Sequence, residues 1–157
     1  MGKVSSWDNI IADVESLRQS GKKIVFTNGV FDLLHVGHVR YLQEARALGD
    51  ALVIGVNADA SVRRLKGPTR PVQVETDRAE ILAALQCVDL TVIFTDDTPA
   101  TLIEKVRPDI LVKGGDWKIE DIVGAPFVQS YGGKVMSLQF IDGRSTTKII
   151  EKAQINS

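Results

Sequence analysis

The two histidines of the chain, His35 and His38, stand three residues apart in a glycine-containing stretch. Imidazole side chains in this arrangement can transfer protons, bind a metal ion or donate hydrogen bonds to phosphate oxygens. The apolar run 24–26 precedes them and apolar residues at helical spacing follow them, so they lie where a strand has ended and a helix begins. The unpaired amides and positive dipole of a helix N-terminus favour anions. We therefore predict that residues 27–38 form an active site that binds phosphate.

Positively charged side chains recur in other polar segments. Lys66 and Arg70 share a loop rich in glycine and proline, and Lys113 follows an apolar run. The last helical segment opens with two cations and three hydroxyl side chains, which are Arg144, Ser145, Thr146, Thr147 and Lys148. Neither Gly-x4-Gly-Lys-Ser/Thr nor Gly-x-Gly-x-x-Gly occurs, which argues against a P-loop kinase and a dinucleotide dehydrogenase.

Two other interpretations of the histidines stay open at this point. A zinc site would need carboxylate ligands such as Asp32, because the chain has no third histidine and its one cysteine, Cys87, is distant in sequence. The two histidines could also have a purely structural role at the start of the helix. We expect no metal site built by the protein alone.

The sequence patterns predict strands that alternate with helices. Strands are expected at 22–26, 51–56, 90–94, 110–112 and 134–138, and helices at 6–19, 36–49, before Lys66, 76–86, 98–106, 121–131 and 145–153. This order predicts one Rossmann-like α/β domain over residues 1–157, with a five-stranded parallel sheet and helices on both faces. Its N-terminal helix is 6–19 and its catalytic core 22–153. The polar segments follow the strands, where ligands bind in such sheets.

The composition excludes several classes of protein. The 19 basic and 20 acidic side chains nearly balance, so no nucleic-acid or membrane partner is expected. No apolar run is long enough to span a membrane. The N-terminus lacks the apolar segment of a secretory signal, and an internal disulfide is excluded by the single cysteine. We expect a cytoplasmic globular protein.

Three segments resemble, in order, the motifs of the cytidylyltransferase-like nucleotidyltransferases. Residues 29–38 carry the His-x-Gly-His signature, residues 113–117 are similar to the Gly-Asp-Trp segment, and residues 143–149 are similar to the Ser-Thr-Thr motif of a late helix. The resemblance covers roughly residues 22–153. The nucleotide-binding residues that it implies are Asn28, Gly29, Val30, Phe31, His35, His38, Lys113, Gly115, Asp116, Arg144, Ser145, Thr146 and Thr147.

Within this superfamily, residues 66–71, 111–117 and 132–135 most resemble the bacterial heptose-1-phosphate adenylyltransferases. The resemblance implies transfer of AMP from ATP to a heptose 1-phosphate for lipopolysaccharide or surface-glycan precursors. It also implies Mg²⁺ bound mainly through ATP phosphates and a homodimer or higher homo-oligomer. Many members are fused to a sugar kinase domain, for which this chain is too short, so a separate kinase is expected.

Glycerol-3-phosphate cytidylyltransferases share the histidine and Ser-Thr-Thr motifs. They differ at Lys113 and carry an arginine where this chain has Phe140, and Arg144 is the candidate to replace that arginine. Cytidylyl transfer to a polyol phosphate therefore remains an alternative. A catalytically silent nucleotide-binding module is another, although the intact motifs argue against it.

The proposed transfer needs no general base, since a phosphate monoester with a second pKa near ~6 is already largely a dianion at neutral pH. The residues expected to be catalytic are His35, His38 and Lys66, as donors and charges on phosphate. Those that the resemblance assigns to the substrate are Asp32, Lys66, Arg70 and Arg78. Alternatives stay open for three of these: Asp32 as a loop-orienting residue, Arg70 as a solvated charge and Arg78 as a surface ion pair. The Ser-Thr-Thr segment could likewise only cap its helix.

Overall fold

Six parallel strands form one sheet in the computed structural model, which describes residues 2–139 and 145–155. The strands are β1 (Lys3–Ser5), β2 (Ile24–Gly29), β3 (Ala51–Asn57), β4 (Leu90–Phe94), β5 (Ile110–Gly114) and β6 (Lys134–Leu138). The helices are α1 (Ile10–Gln19), α2 (Val36–Ala47), α3 (Asp59–Lys66), α4 (Glu75–Ala83), α5 (Ala100–Val106), α6 (Ala125–Ser130) and α7 (Thr146–Ile155), with a 3-10 turn at Ile119–Asp121.

The strand order is β1-β4-β3-β2-β5-β6, with β2 and β3 in the middle. Phe26 of β2 lies opposite Val53 of β3 on one side and Leu111 of β5 on the other. Every residue of β3 is buried, as expected for a strand covered on both faces. All carboxyl ends meet at one edge of the sheet, which places the segments after β2, β3 and β5 side by side.

Helices cover both faces of the sheet, as predicted. On one face, Phe26 and Val53 pack in a core with Ile10 of α1 and Ile103 of α5. On the other face, the neighbouring strand residues pack with Leu42 of α2 and with α4. This arrangement follows from the period of two in a strand, which sends successive apolar side chains to opposite faces. The α/β fold class with a parallel sheet is confirmed.

The predicted number of strands was one too low. The additional strand, β1, pairs with the edge of β4, where Val4 lies opposite Thr91. Its three residues contain no apolar run, so the sequence pattern does not indicate a strand. Pairing with β4 and burial of Ser5, whose hydroxyl donates to Asp13 at 2.6 Å, account for its position.

Several boundaries also differ from the prediction. Helix α1 begins at Ile10 rather than at residue 6, because residues 6–9 form a turn in which the Ser6 hydroxyl accepts from the Asn9 amide. The segment expected as one helix over 121–131 is a 3-10 turn followed by α6, with Gly124 at a φ of +89° between them. Strand β2 extends to Gly29, which brings the polar residues Thr27 and Asn28 into the sheet. Within the described residues, no helix has both the length and the apolar character needed to cross a membrane.

Candidate active site

A cleft of about 280 Å³ opens at the carboxyl ends of β2 and β5. The starts of α2 and α7, the end of α3 and the loop after α3 complete its walls. The lining residues are Asn28, Gly29, Val30, Phe31, Asp32, His38, Tyr41, Lys66, Arg70, Lys113, Gly114, Trp117 and Thr146. The chain thus brings together residues from segments that are far apart in sequence, as the position of the polar segments predicts.

His35 and His38 determine each other's position at the start of α2. His35 is the N-cap residue, and its Nδ1 accepts a hydrogen bond of 3.1 Å from the amide of Gly37. The backbone amide of His35 in turn donates to Nδ1 of His38 at 3.3 Å. The two rings stack with centroids 3.9 Å apart. His38 is one of the residues that line the cleft, whereas His35 is not.

These contacts indicate which ring nitrogen of each histidine carries the proton when the ring is neutral. A nitrogen that accepts a hydrogen bond from a backbone amide carries no proton, so the neutral ring holds its proton on Nε2. Burial, and to a lesser extent the neighbouring His35, lower the pKa of His38 from 6.5 to about 4. His38 is therefore neutral at physiological pH and presents an N–H donor rather than a charge.

Phe31 has a left-handed backbone conformation next to this pair. Its φ is +49°, which is uncommon for a bulky residue, and its side chain is buried. The ring meets His38 edge-on with centroids 5.5 Å apart. Gly29 leaves room for it, because a Cβ at Gly29 would lie 2.9 Å from the Phe31 ring. Gly29 thus makes room for the Phe31 ring, and the Phe31 ring in turn packs against His38.

Asp32 holds the loop after α3 against the floor of the cleft. Its carboxylate is 1% exposed and accepts hydrogen bonds from the amides of Val72 at 2.8 Å and Gln73 at 2.9 Å. It also pairs with Nε of Arg70 at 3.2 Å. These contacts correspond to the loop-orienting alternative for Asp32. They also remove the solvated-charge alternative for Arg70, which lines the cleft with a largely buried side chain.

The structure corrects the placement expected for Arg78. Its side chain is fully buried and does not line the cleft, so neither a direct substrate contact nor a surface ion pair describes it. Each guanidinium nitrogen donates to a protein acceptor: Nε to the Gln73 carbonyl, Nη1 to the Val30 carbonyl and Nη2 to Asp59. Periodicity identifies the face of α4 that is buried, but a charged residue on that face is normally expected at its margin.

Two lysines line the cleft, one from α3 and one from β5. Lys66 is the last residue of α3 and is exposed along the opening. Lys113 lies within β5, and its ammonium group sits 5.1 Å from the centre of the Trp117 ring. Burial lowers the pKa of Lys113. An anionic ligand bound in the cleft could contact both ammonium groups.

The segment after β5 contributes less to the cleft than its motif predicts. Gly115 has a φ of +110°, and its amide donates to the carbonyl of Leu138 at 2.8 Å. Asp116 is exposed, and neither residue lines the cleft. Trp117 does line it, with its indole N–H donating to the carbonyl of Gly114 at 3.2 Å.

The start of α7 reaches the cleft through one residue of the Ser-Thr-Thr segment. Thr146 lines the cleft and donates its hydroxyl to the carbonyl of Leu33 at 2.8 Å. Ser145 caps α7, since its hydroxyl accepts from the amide of Lys148 at 3.1 Å, and Thr147 is exposed. The predicted contact of Arg144, and Phe140 with which it was compared, lie outside the described residues.

Sequence reasoning missed Tyr41 and did not select Trp117 or Gly114. Tyr41 lies in α2, and its hydroxyl is 2.6 Å from that of Thr27 in β2. Burial raises the pKa of Tyr41 to about 12, so the phenol adds no negative charge to the cleft. A tyrosine on the buried side of α2, three residues after His38, was the available signal.

A second cavity adjoins the cleft and shares residues 28–30 and Lys113 with it. Its remaining wall comes from the ends of β3 and β4 and includes the polar side chains of Asn57, Asp97 and Thr98. Among the described residues, no group of three or more histidine, cysteine, aspartate or glutamate side chains is arranged to hold a metal ion. The two cavities together offer cations and hydrogen-bonding groups.

Comparison with known proteins gives consistent matches. The profile of the family described as cytidylyltransferase-like matches residues 26–152. The bifunctional protein HldE of Citrifermentans bemidjiense is 59% identical over 150 residues, which cover 96% of this chain and 31% of that protein. The protein of the same name from Syntrophotalea carbinolica is 62% identical over 139 residues, covering 88% of this chain and 28% of that protein. The chain therefore spans about a third of the length of these curated relatives.

Among solved structures, the fold resembles the lipopolysaccharide core biosynthesis protein from Thermoplasma volcanium. The TM-score is 0.61 and the sequence identity 30%, and the match covers 77% of this chain and 98% of that one. The similarity therefore extends over nearly the whole of that protein.

Proposed function

Because the chain belongs to the cytidylyltransferase-like family, we propose that it transfers AMP from ATP to a heptose 1-phosphate, with ADP-heptose and pyrophosphate as products. The observation that carries this proposal is the convergence of His38, Lys66, Arg70 and Lys113 on one cleft at the carboxyl ends of the strands. These side chains suit phosphate groups, and no residue of the cleft is required as a base.

In the proposed reaction, an oxygen of the sugar 1-phosphate forms a bond to the α-phosphorus of ATP. The bond between that phosphorus and the oxygen bridging to the β-phosphate breaks, and pyrophosphate leaves with the electron pair. The nucleophile is already ionised at neutral pH, since its second pKa lies near ~6. The protein must therefore align two anions and stabilise the charge that develops on the transferring group.

The histidines are suited to this work as neutral donors. With Nδ1 occupied by a backbone amide, the Nε2–H of His38 is the group that can donate to a phosphate oxygen in the cleft. His35 supports it through the stacked ring and the shared turn. A donor of this kind stabilises the transition state without the reorganisation that solvent would need. The unpaired amides at the start of α2 also favour the binding of phosphate.

Nucleotidyltransferases of this family generally use a divalent metal with the nucleotide, and we propose Mg²⁺. The described residues provide no cage of carboxylates, and Asp32 already accepts three hydrogen bonds. With so few protein ligands, the ion would be bound mainly through the triphosphate oxygens. Mg²⁺ suits such a site because it usually retains several of its waters. The ion would neutralise phosphate charge beside Lys66 and Lys113.

The choice of a heptose rests on the sequence resemblance of residues 66–71, 111–117 and 132–135, and on the HldE relatives. The second cavity supports a polyhydroxylated acceptor, since amide, carboxylate and hydroxyl groups there can bind sugar hydroxyls. We place the product in the supply of precursors for lipopolysaccharide or a surface glycan. We further propose that the enzyme acts in the cytoplasm, where ATP is available, and as a homodimer or higher homo-oligomer, which light scattering on the purified protein would test.

A matrix of substrates tests the proposal directly. Purified protein is incubated with each of four nucleoside triphosphates and a panel of sugar and polyol phosphates, and pyrophosphate release is measured. We expect turnover with ATP and a heptose 1-phosphate, and little with other pairs. Turnover only with CTP and glycerol 3-phosphate would replace the proposal with a cytidylyltransferase. No turnover with any pair, together with ATP binding by calorimetry, would support a silent nucleotide-binding module.

A further inference from the structure

Arg78 joins three separate parts of the chain around the cleft. Its Nη1 donates to the carbonyl of Val30, in the cleft wall, at 2.8 Å. Its Nε donates to the carbonyl of Gln73, in the loop after α3, at 2.9 Å. Its Nη2 pairs with Asp59, the first residue of α3, at 2.7 Å. One buried side chain therefore determines the relative positions of a wall, a loop and a helix.

Asp32 holds the same loop from the other side. It accepts from the amide of Gln73, whose carbonyl accepts from Arg78, so the backbone of Gln73 is fixed at both of its polar groups. The amide of Val72 also donates to Asp32. Because Asp32 and Val30 lie in one short segment, these bonds close a ring between residues 30–32 and residues 72–78.

This ring places two cations of the proposed site. Arg70 lies just before the fixed residues of the loop and is bound by its Nε to Asp32. Lys66 ends the helix that begins at Asp59, the charged partner of Arg78.

We propose that Arg78 is a positioning residue for nucleotidyl transfer: it holds residues 67–74 and α3 so that Arg70 and Lys66 face the phosphates. This inference rests on the proposed function for its kinetic consequence, but not for its structural one. A planar guanidinium with five N–H groups meets three divergent acceptors at once, whereas a lysine ammonium acts as a point charge on a flexible stem. A lysine at position 78 would therefore keep the positive charge but could not reproduce the three hydrogen bonds of Arg78.

The experiment compares Arg78→Lys with a matched arginine elsewhere. Arg46 also joins a carboxylate, Asp89, to a backbone carbonyl, that of Gly49, but at the opposite end of the strands. Arg46 is less buried than Arg78, with a side chain 35% exposed against 0%, and Arg46→Lys reports the loss of an arginine that joins a carboxylate to a carbonyl without any change at the cleft. The first readout is hydrogen exchange of the Val72 and Gln73 amides, which needs no substrate. The second is the steady-state kinetics of each substrate.

For Arg78→Lys we expect faster exchange of those two amides with unchanged exchange in the core of β3. We expect kcat/KM for the sugar phosphate to fall by about a hundredfold, as for a misplacement of roughly 1 Å, with a smaller change in KM for ATP. Arg46→Lys should show neither effect. If Arg78→Lys does not fold, Asp59→Asn removes the charged partner alone and should change the same readouts in the same direction.

Unchanged exchange at Val72 and Gln73 in Arg78→Lys would overturn the proposal. Equal kinetic losses in Arg78→Lys and Arg46→Lys would overturn it as well, because they would indicate general destabilisation. Should the wild-type protein use a different substrate pair, the exchange result would still decide the positioning role. Failure of the proposed function and failure of this inference are therefore distinguishable.

Discussion

The hydroxyl of Thr146 donates a hydrogen bond of 2.8 Å to the backbone carbonyl of Leu33, and the two residues are 113 positions apart in the chain. This bond attaches the start of α7 to the segment that leads into the histidine pair. Thr146 lines the cleft, and Leu33 directly follows Asp32, which lines it as well. The late Ser-Thr-Thr motif is therefore hydrogen-bonded to the segment that immediately precedes the early His-x-Gly-His motif.

Replacing Thr146 with valine tests that connection. Thr146→Val exchanges a hydroxyl for a methyl group of similar size, so the carbonyl of Leu33 loses its donor without a change in packing. We expect a stability loss of about 1 kcal/mol and a fall of about tenfold or more in kcat/KM for ATP, because α7 no longer has a fixed position. Thermal unfolding and initial rates measure the two effects. Thr146→Ser, which keeps the donor, is the control, and indistinguishable ATP kinetics in the two variants would contradict the role.

Two amide replacements of His38 separate its two nitrogens. Glutamine can place an N–H near the Nε2 position, whereas asparagine can reproduce only the Nδ1 acceptor for the His35 amide. If donation to phosphate matters, His38→Asn should lose about a hundred- to a thousandfold in kcat, and His38→Gln should retain more of it. His38→Ala should abolish pyrophosphate release while the far-ultraviolet circular dichroism spectrum stays unchanged. Near-normal turnover in His38→Ala would rule out this mechanism.

The protonation of His38 is open to direct measurement, because the chain contains only two histidines. We expect its imidazole to stay neutral until the pH falls to about 4, since burial, and then His35, lower its pKa from 6.5. Nitrogen-15 chemical shifts of selectively labelled histidine report the charge and the tautomer together. A titration midpoint near 6.5, or a proton on Nδ1, would contradict the hydrogen-bonding arrangement at the start of α2.

The same pKa shift links folding to pH. The unfolded chain protonates His38 near pH 6.5 and the folded chain only near pH 4. The unfolded state therefore binds more protons between these values, and the free energy of unfolding should decrease as the pH falls through this window. Urea titrations of the wild type and of His38→Gln measure the contribution. A difference between the two proteins that does not vary from pH 7 to pH 4 would argue against it.

A side chain at Gly29 is expected to destabilise the site. The Cβ of Gly29→Ala would lie 2.9 Å from the ring of Phe31, which must then move away from its edge contact with His38. Overpacking of this kind costs about 1–3 kcal/mol, and KM for ATP should rise because His38 loses its support. Thermal unfolding and ATP kinetics measure these effects. The double variant Gly29→Ala with Phe31→Leu should recover stability, and a double variant as unstable as Gly29→Ala alone would show that the ring is not the obstacle.

The sequence predicted the elements that local patterns specify. The apolar run of β4 matches its prediction at both ends, because a buried parallel strand requires such a run. The family resemblance from the three motifs is also confirmed by the match over residues 26–152. Strand β1 was missed because its pairing depends on the exposed edge of β4 and not on its own three residues.

The site was predictable in its location but not in its contacts. The ends of strands in an α/β sheet identify where polar residues meet, and this placed His38, Lys66 and Thr146 correctly beside one cleft. The burial of Arg78 depends on a carbonyl 48 residues away, and no local pattern contains that information. No local pattern predicts the hydrogen bonds from the amides of Val72 and Gln73 to Asp32 either. Through these bonds the Asp32 carboxylate holds a loop that is distant in sequence.

Strand β1 has a consequence for how the protein behaves towards other copies of itself. Without Lys3–Ser5, β4 would be an edge strand, and an uncovered edge offers unpaired N–H and C=O groups to any extended segment in solution. The short strand occupies those groups and presents an outer edge that begins with an exposed lysine. Its three residues thereby protect an apolar strand from intermolecular strand addition, and variants shortened at this end should be more prone to aggregation.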